Sequence, residues 1–207
     1  MKIDDELMWN EHISDNITVN VVESALVDGS ETKENAGDTT DYGCLMVFFN
    51  EKDASNIKQW IDENIPIDVL SDFGIEDEPH VTCQYGFHED VTIEEITEFL
   101  NHTVKKPIEI NMGEISRFSN EKHDVIKVDI DSPDLHELSD KIREHFDGRL
   151  EVTFPNYHPH MTLAYVSLGA LPTIDGDGMF GGKNFVFDEF TYSTSGMEEK
   201  FNITRNG

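Results

Sequence analysis

Two short stretches of this sequence repeat the pattern His-x-Thr-x-x-Tyr. The first is HVTCQYG, which begins at His80, and the second is HMTLAYV, which begins at His160. In a strand, residues i and i+2 share a face, so Thr82 and Thr162 would each lie roughly 6.6 Å along the strand from their histidine. An imidazole gives or takes a proton near neutral pH, and a hydroxyl can donate a hydrogen bond to a phosphate oxygen. The pattern therefore indicates acid-base chemistry.

The other face of each predicted strand is apolar and suits a hydrophobic core. Strict alternation assigns three residues of each copy to that face, including both tyrosines. They are Val81, Cys83 and Tyr85 in the first copy, and Met161, Leu163 and Tyr165 in the second. Cys44 and Cys83 both fall in predicted strands, and we expect two buried thiols in a reducing compartment rather than a disulfide between neighbouring strands.

The surroundings of the two motifs also repeat. In the first half, a predicted strand at 42–49 and a predicted helix in NIKQWIDENI precede His80. In the second half, a predicted strand at 124–130 and a helix capped by Ser132 and Pro133 precede His160. We therefore predict an α+β fold in which duplicated strand-helix-strand lobes place antiparallel sheets around a central groove.

Further helices, strands and loops are predicted between and around the two repeated units. Thr92 and Glu95 form a predicted capping box for a helix. Apolar patterning predicts strands at 16–22, 107–119 and 184–195 and in KFNITR, whereas a stretch rich in glycine, LGALPTIDGDGMFGGK, predicts a long loop of the kind that serves as a lid or an insertion. Residues 1–41 are predicted to be an acidic N-terminal extension, with 28–41 as an exposed connection, and 42–207 to be one bilobal domain.

Composition excludes several classes of protein. The 207 residues carry 43 acids against 15 bases, a net charge of −28, which argues against coating duplex DNA or long RNA because such binding needs Lys and Arg at the phosphates. The longest apolar runs fall short of the roughly 20 residues that span a bilayer. With no signal peptide visible, we expect a cytoplasmic protein.

The doubled motif resembles the 2H phosphoesterase superfamily, which includes relatives of LigT-like 2′-5′ RNA ligases. The longer strings EPHVTCQYG and NYHPHMTLAYV look most like a phage-associated branch whose phosphodiesterases cleave the cyclic oligonucleotide signals of CBASS defence. The resemblance covers roughly residues 41–203. It implies that His80 and His160 are the acid-base pair, that Thr82 and Thr162 hold the phosphate, and that neither a metal nor another cofactor is needed.

Other residues are candidates for substrate contact. An unpaired base is usually held by stacking on aromatic rings, and Arg117 is a scarce cation suited to phosphate. The candidate aromatic and imidazole contacts are Tyr42, Phe87, His88, Tyr157 and His158. The sequence His158-Pro159-His160 also has the form of a metal-binding pair, but no third ligand is evident, so no metal site is predicted.

Three functions agree with these features. The first is a metal-independent phosphodiesterase that opens 3′-5′ bonds in a small cyclic oligonucleotide. The second is a 2′,3′-cyclic phosphodiesterase acting on RNA ends or small nucleotides. The third is a module that binds a nucleotide without turnover. Intact His and Thr in both motifs favour an enzyme. The sequence does not determine the oligomeric state.

Overall fold

A computed structural model describes residues 17–22, 42–152, 156–194 and 200–205. Within these ranges the chain forms ten strands, three α-helices and a short 3₁₀ turn at Ile67–Val69. The helices are α1 (Glu51–Asn64), α2 (Ile93–Thr103) and α3 (Pro133–His145). The strands are β1 (Ile17–Val22), β2 (Gly43–Phe48), β3 (Leu70–Ile75), β4 (His80–Phe87), β5 (Ile108–Ser119), β6 (Asp124–Asp131), β7 (His160–Val166), β8 (Asn184–Phe187), β9 (Glu189–Ser193) and β10 (Lys200–Arg205).

The strands form two antiparallel sheets of five strands each. The first sheet has the order β1-β10-β9-β2-β4, and the second has the order β3-β7-β6-β5-β8. The predicted duplication is confirmed, because β2-α1-β4 and β6-α3-β7 repeat the same unit. The halves also exchange strands: β3 joins the second sheet, whereas β9 and β10 join the first.

Local sequence explains where the helices begin. The Asn50 side chain accepts a hydrogen bond from the amide of Asp53, so α1 starts five residues before the predicted NIKQWIDENI segment. At α2 both hydrogen bonds of the predicted capping box are present. At α3 Ser132 is the N-cap, as predicted, and Pro133 occupies the first turn.

One continuous hydrophobic core joins the two sheets and the helices. Helix α3 packs against β4 and β5, and α2 packs against β1 and β10. The apolar residues that predicted α3 are all buried: Leu135, Leu138, Ile142 and Phe146. Burial of one such aliphatic side chain typically contributes about 1.5–3 kcal/mol, so this face fixes α3 to the sheets.

Two predictions at the C-terminal side need correction or completion. The predicted single strand 184–195 is two strands, β8 and β9, which belong to different sheets and separate at Asp188. The glycine-rich loop 168–183 is held against β5: the amide of Met112 donates to the carbonyl of Lys183, the amide of Gly182 donates to the carbonyl of Met112, and Phe180 is buried. Strand β1 lies inside the predicted extension 1–41, whereas the predicted connection 28–41 lies outside the described residues.

The outer edge of β4 is covered by the segment that follows α3. The amide of Glu151 donates to the carbonyl of Gly86 at 2.8 Å, and the amide of His88 donates to the carbonyl of Arg149 at 3.1 Å. Gly86 has a φ of 108°, and a Cβ there would lie 2.1 Å from the Glu151 carbonyl oxygen. Glycine is therefore required for this close approach.

Arg149 also fastens this covering segment to the start of α2. Its guanidinium makes ion pairs with Asp90 and with Glu95, at 3.0 and 2.8 Å respectively. The Arg149 hydrogen bond and the capping-box contact with Thr92 lower the pKa of Glu95 to about 2.

Of the helices the structure describes, none is long and apolar enough to cross a membrane.

Candidate active site

The two motif histidines begin β4 and β7, and these two strands contact each other. Nδ1 of His80 lies 2.7 Å from the carbonyl oxygen of Glu78, and Nδ1 of His160 lies 2.8 Å from the carbonyl oxygen of His158. A carbonyl oxygen only accepts, so Nδ1 carries the hydrogen in both rings. Each Nε2 is then the atom that can exchange a proton with a substrate.

Both motif strands contain a bulge one residue after the threonine. In the first sheet Thr82 lies opposite Met46 and Gln84 lies opposite Leu45, so Cys83 is the extra residue. Directly opposite residues share a face of the sheet. The residue after Gln84, Tyr85, therefore returns to the face that carries the histidine and threonine.

The second motif has the same irregularity at the same position. Thr162 lies opposite Lys127 and Ala164 lies opposite Ile126, which leaves Leu163 as the extra residue. Tyr165 is consequently on the same face as His160. The spacing His-x-Thr-x-x-Tyr thus places three functional groups on one face, the groove face, in each lobe.

The prediction that Tyr85 and Tyr165 lie in the core is therefore wrong. It assumed strict alternation, which the bulges interrupt. Both tyrosines are half-buried: Tyr85 contacts the Tyr42 ring at 6.1 Å, and Tyr165 contacts the ring of Phe73 at 5.6 Å. The remaining apolar residues are buried as predicted: Val81, Cys83, Met161 and Leu163.

A phenylalanine lies against each motif histidine. The Phe48 ring is 5.3 Å from the His80 ring, and the Phe118 ring is 5.1 Å from the His160 ring and perpendicular to it. Phe118 is 43% exposed, so its ring is available to a base or sugar beside His160. Sequence analysis did not identify either phenylalanine, although both stand at or near the end of predicted strands.

The second lobe also contains a charged pair that sequence analysis missed. Lys127 and Asp129 lie opposite Thr162 and His160, respectively, and form an ion pair. The signal in the sequence was a lysine within the predicted strand 124–130 of a chain poor in bases. Burial, followed by the charges of Lys127 and of His80, lowers the pKa of His160, while its hydrogen bond to His158 and the Asp129 carboxylate oppose that shift.

The two cysteines beside the first motif are free, buried thiols: Cys44 lies opposite Tyr85, and Cys83 lies in the hydrophobic core. Burial raises the pKa of Cys44 to about 12, and its sulfur is hydrogen-bonded to the Thr82 side chain. Burial raises the pKa of Cys83 as well. Both thiols are therefore neutral and packed, and Cys44 helps to hold the Thr82 hydroxyl.

Four of the six predicted substrate contacts lie near the motif strands. Tyr42 packs against His88, with ring centroids 5.7 Å apart, in an aromatic cluster at the far end of β4. The Tyr157 hydroxyl donates to the carbonyl oxygen of Thr82 at 2.7 Å, and burial raises its pKa. Tyr157 thus joins the segment before the second motif to the strand of the first. His158 is exposed, and its carbonyl orients His160.

Two predicted contacts are wrong. Phe87 is fully buried, and its ring packs edge-on against Phe146 and Tyr192, because it ends β4 in the core instead of opening a loop. Arg117 lies opposite Ile126, which places its side chain on the face away from Lys127.

The guanidinium of Arg117 is occupied by the protein itself. It donates to Asp175 at 2.7 Å, to Asp124 at 2.9 Å and to the carbonyl oxygen of Leu171 at 2.8 Å. These contacts tie the loop 168–183 to β5 and β6. Arg117 therefore stabilises the fold and does not meet phosphate in the groove.

The described part of the chain contains no cluster of three or more His, Cys, Asp or Glu side chains arranged to hold a metal ion. His158 and His160 do not form such a cluster, because Nδ1 of His160 is directed to the backbone of His158. The groove therefore offers two imidazoles, two hydroxyls and a buried ammonium group.

The chain resembles proteins of known family and structure. The family model for the 2′-5′ RNA ligase superfamily matches residues 76–171, which include both motifs. The fold is similar to that of Escherichia coli LigT complexed with 3′-AMP, with a TM-score of 0.57 and 14% identity over 80% of this chain and 97% of that one. No curated protein sequence matches the chain.

Two further solved structures share the fold. TT0787 of Thermus thermophilus gives a TM-score of 0.54 and 15% identity over 73% of this chain and 86% of that one. Usb1 of Kluyveromyces marxianus with uridine monophosphate gives a TM-score of 0.51 and 10% identity over 81% of this chain and all of that one. Over residues 76–171 the chain is thus similar to the 2′-5′ RNA ligase superfamily, and its fold is similar to the folds of LigT, TT0787 and Usb1.

Proposed function

We propose that this protein is a 2H phosphoesterase, a metal-independent phosphodiesterase that opens 3′-5′ bonds in small cyclic oligonucleotides. The observation that supports it best is the matched pair of histidines, each with Nδ1 fixed by a backbone carbonyl and Nε2 free. One imidazole takes the proton of the attacking oxygen and the other protonates the leaving oxygen. Thr82 and Thr162 hold the non-bridging phosphate oxygens between them.

The nucleophile in this proposal is the ribose 2′-OH beside the scissile bond. The substrate itself holds that oxygen close to phosphorus, which makes the attack intramolecular. The 2′-oxygen forms a bond to phosphorus, the bond to the 5′-oxygen breaks, and a 2′,3′-cyclic phosphate and a free 5′-OH result. Water can then open the cyclic phosphate by the same proton transfers in reverse order.

Charge supports a substrate with few phosphates. On the groove faces of the four central strands, β2, β4, β6 and β7, Lys127 is the one Lys or Arg. Extended RNA is held by a series of cations along its backbone, which these strands do not provide. A cyclic di- or trinucleotide of the kind used as a signal in antiphage defence presents few phosphates and several bases, which suits the aromatic side chains Phe48, Phe118 and Tyr42.

The test is turnover of a substrate panel by the purified protein, followed by mass spectrometry. The panel contains cyclic di- and triribonucleotides, their 2′-deoxy counterparts and 2′,3′-cyclic mononucleotides, and each is assayed with and without EDTA. We expect cyclic ribonucleotides to be opened in EDTA and the deoxy compounds to bind without cleavage. Turnover of 2′,3′-cyclic mononucleotides alone would identify the second activity, and binding without any turnover would identify a nucleotide-binding module.

A further inference from the structure

Lys127 is a buried cation at the second motif. Its ammonium donates to the Ser116 hydroxyl at 2.6 Å, forms an ion pair with Asp129, and lies 4.3 Å from the centre of the Phe118 ring. The same ring packs against His160. A side chain that is only 6% exposed has little water to screen its charge, whereas Asp129 is 54% exposed.

The first lobe has no charge at the equivalent positions. Met46 lies opposite Thr82, as Lys127 lies opposite Thr162, and Phe48 lies opposite His80, as Asp129 lies opposite His160. A thioether and a phenyl ring therefore replace the ammonium and the carboxylate. The lobes present the same imidazole and hydroxyl in different electrostatic surroundings.

We propose that Lys127 is a positioning residue that fixes the direction of proton transfer, with His160 as the general base and His80 as the general acid. This assignment rests on the proposed function. The buried ammonium disfavours a second positive charge on the neighbouring imidazole, so His160 stays neutral and accepts the 2′-OH proton. The charged groups that act on this ring are Lys127 and Asp129 from β6 and His80 from β4.

The proposed step balances as follows. Nε2 of neutral His160 removes the 2′-OH proton as the 2′-oxygen bonds to phosphorus, and protonated His80 gives its Nε2 proton to the departing 5′-oxygen. His160 ends protonated and His80 neutral, and solvent exchange restores the starting states. In the hydrolysis of the cyclic product the two residues exchange roles, as microscopic reversibility requires.

The first experiment titrates the His160 imidazole by NMR in the full-length protein without substrate. Lys127→Met installs the residue that the other lobe carries, and we expect the midpoint of His160 to move up by about one pH unit because the repelling charge is gone. Lys127→Arg keeps the charge and should leave the midpoint near its wild-type value. If Lys127→Met does not fold, Lys127→Gln serves the same purpose, and an unchanged midpoint in a folded variant overturns the proposal.

The second experiment assigns the roles by changing the leaving group. A cyclic diribonucleotide with sulfur in place of the bridging 5′-oxygen releases a thiolate, which needs no general acid. We expect this compound to restore turnover to His80→Ala by about 10²-fold or more and to leave His160→Ala inactive. Rescue of His160→Ala instead overturns the assignment.

The two experiments separate the two proposals. If the wild-type protein cleaves neither the oxygen nor the sulfur compound, the proposed phosphodiesterase function fails. The effect of Lys127 on His160 is still decided by the NMR titration, because that measurement does not depend on turnover.

Discussion

The two motif strands differ in their surroundings more than in their reactive groups. Both present His, Thr and Tyr on one face through the same bulge, and both orient the histidine through a backbone carbonyl. However, β7 lies inside its sheet beside a buried lysine, whereas β4 is an edge strand beside Met46. Repetition therefore places the same three side chains in both lobes, and the departures from symmetry give the two histidines different electrostatic surroundings.

The largest effect should come from removing either imidazole. We expect His80→Ala and His160→Ala each to lower turnover by about 10²- to 10⁴-fold while the fold survives, because each variant loses one proton-transfer partner. The double variant should be little worse than either single one, since the pair acts as a unit. Steady-state kinetics with circular dichroism checks this, and near-normal turnover by a folded single variant would contradict the assignment.

A stability experiment tests how closely the segment around Glu151 covers the outer edge of β4. Gly86→Ala should destabilise the protein by about 3 kcal/mol, since the new Cβ meets the Glu151 carbonyl at a positive φ. Gly148→Ala is the control, because Gly148 also has a positive φ, 76°, but nothing lies within 4 Å of its added Cβ. Urea denaturation should show a clearly smaller loss for the control, and equal losses would mean that backbone strain alone is responsible.

The threonines should matter less than the histidines. Thr82→Ala and Thr162→Ala are each expected to slow turnover by about 10-fold, the value of one hydrogen bond of about 1.4 kcal/mol to the transition state. Thr→Ser keeps the hydroxyl and should retain most of the rate. A rate unchanged by either alanine would show that the phosphate lies away from that lobe.

The smallest effect concerns the link between the lobes. Tyr157→Phe removes the hydrogen bond to the Thr82 carbonyl and should cost about 1 kcal/mol of stability and a few-fold in turnover. The ring itself stays packed against His136. Thermal unfolding and kinetics measured together test this bridge, and no change in either would show that Tyr157 serves only to fill space.

Sequence patterns predicted most of the elements and the four motif residues that β4 and β7 carry. Hydrophobic periodicity and capping residues are local signals, and α2 and α3 begin where Thr92 and Ser132 predicted. The features that these local signals did not predict depend on pairing between strands that are far apart in sequence. The bulges, the location of Lys127 beside Thr162 and the split at Asp188 are all properties of register between segments far apart in sequence.

Arg117 and Phe87 show the same limit for individual side chains. A cation near a strand end suggested phosphate, but its partners Asp124 and Asp175 are set by the sheet and by the loop 168–183. A phenylalanine after the motif suggested a stacking ring, but a second bulge in β4, at Gly86, and the edge pairing direct it into the core. Residue type alone does not decide from which face of a sheet a side chain projects.

Each bulge has a consequence for how these motifs can vary in a gene. The extra residue, Cys83 or Leu163, corresponds to a single codon, and its loss would restore strict alternation beyond the threonine. Because the tyrosine would then stand two residues after the threonine, the deletion would leave the tyrosine on the groove face and opposite the same partner residue. The register of each motif should therefore tolerate, at positions 83 and 163, both a substitution whose side chain fits the core and the loss of the extra residue.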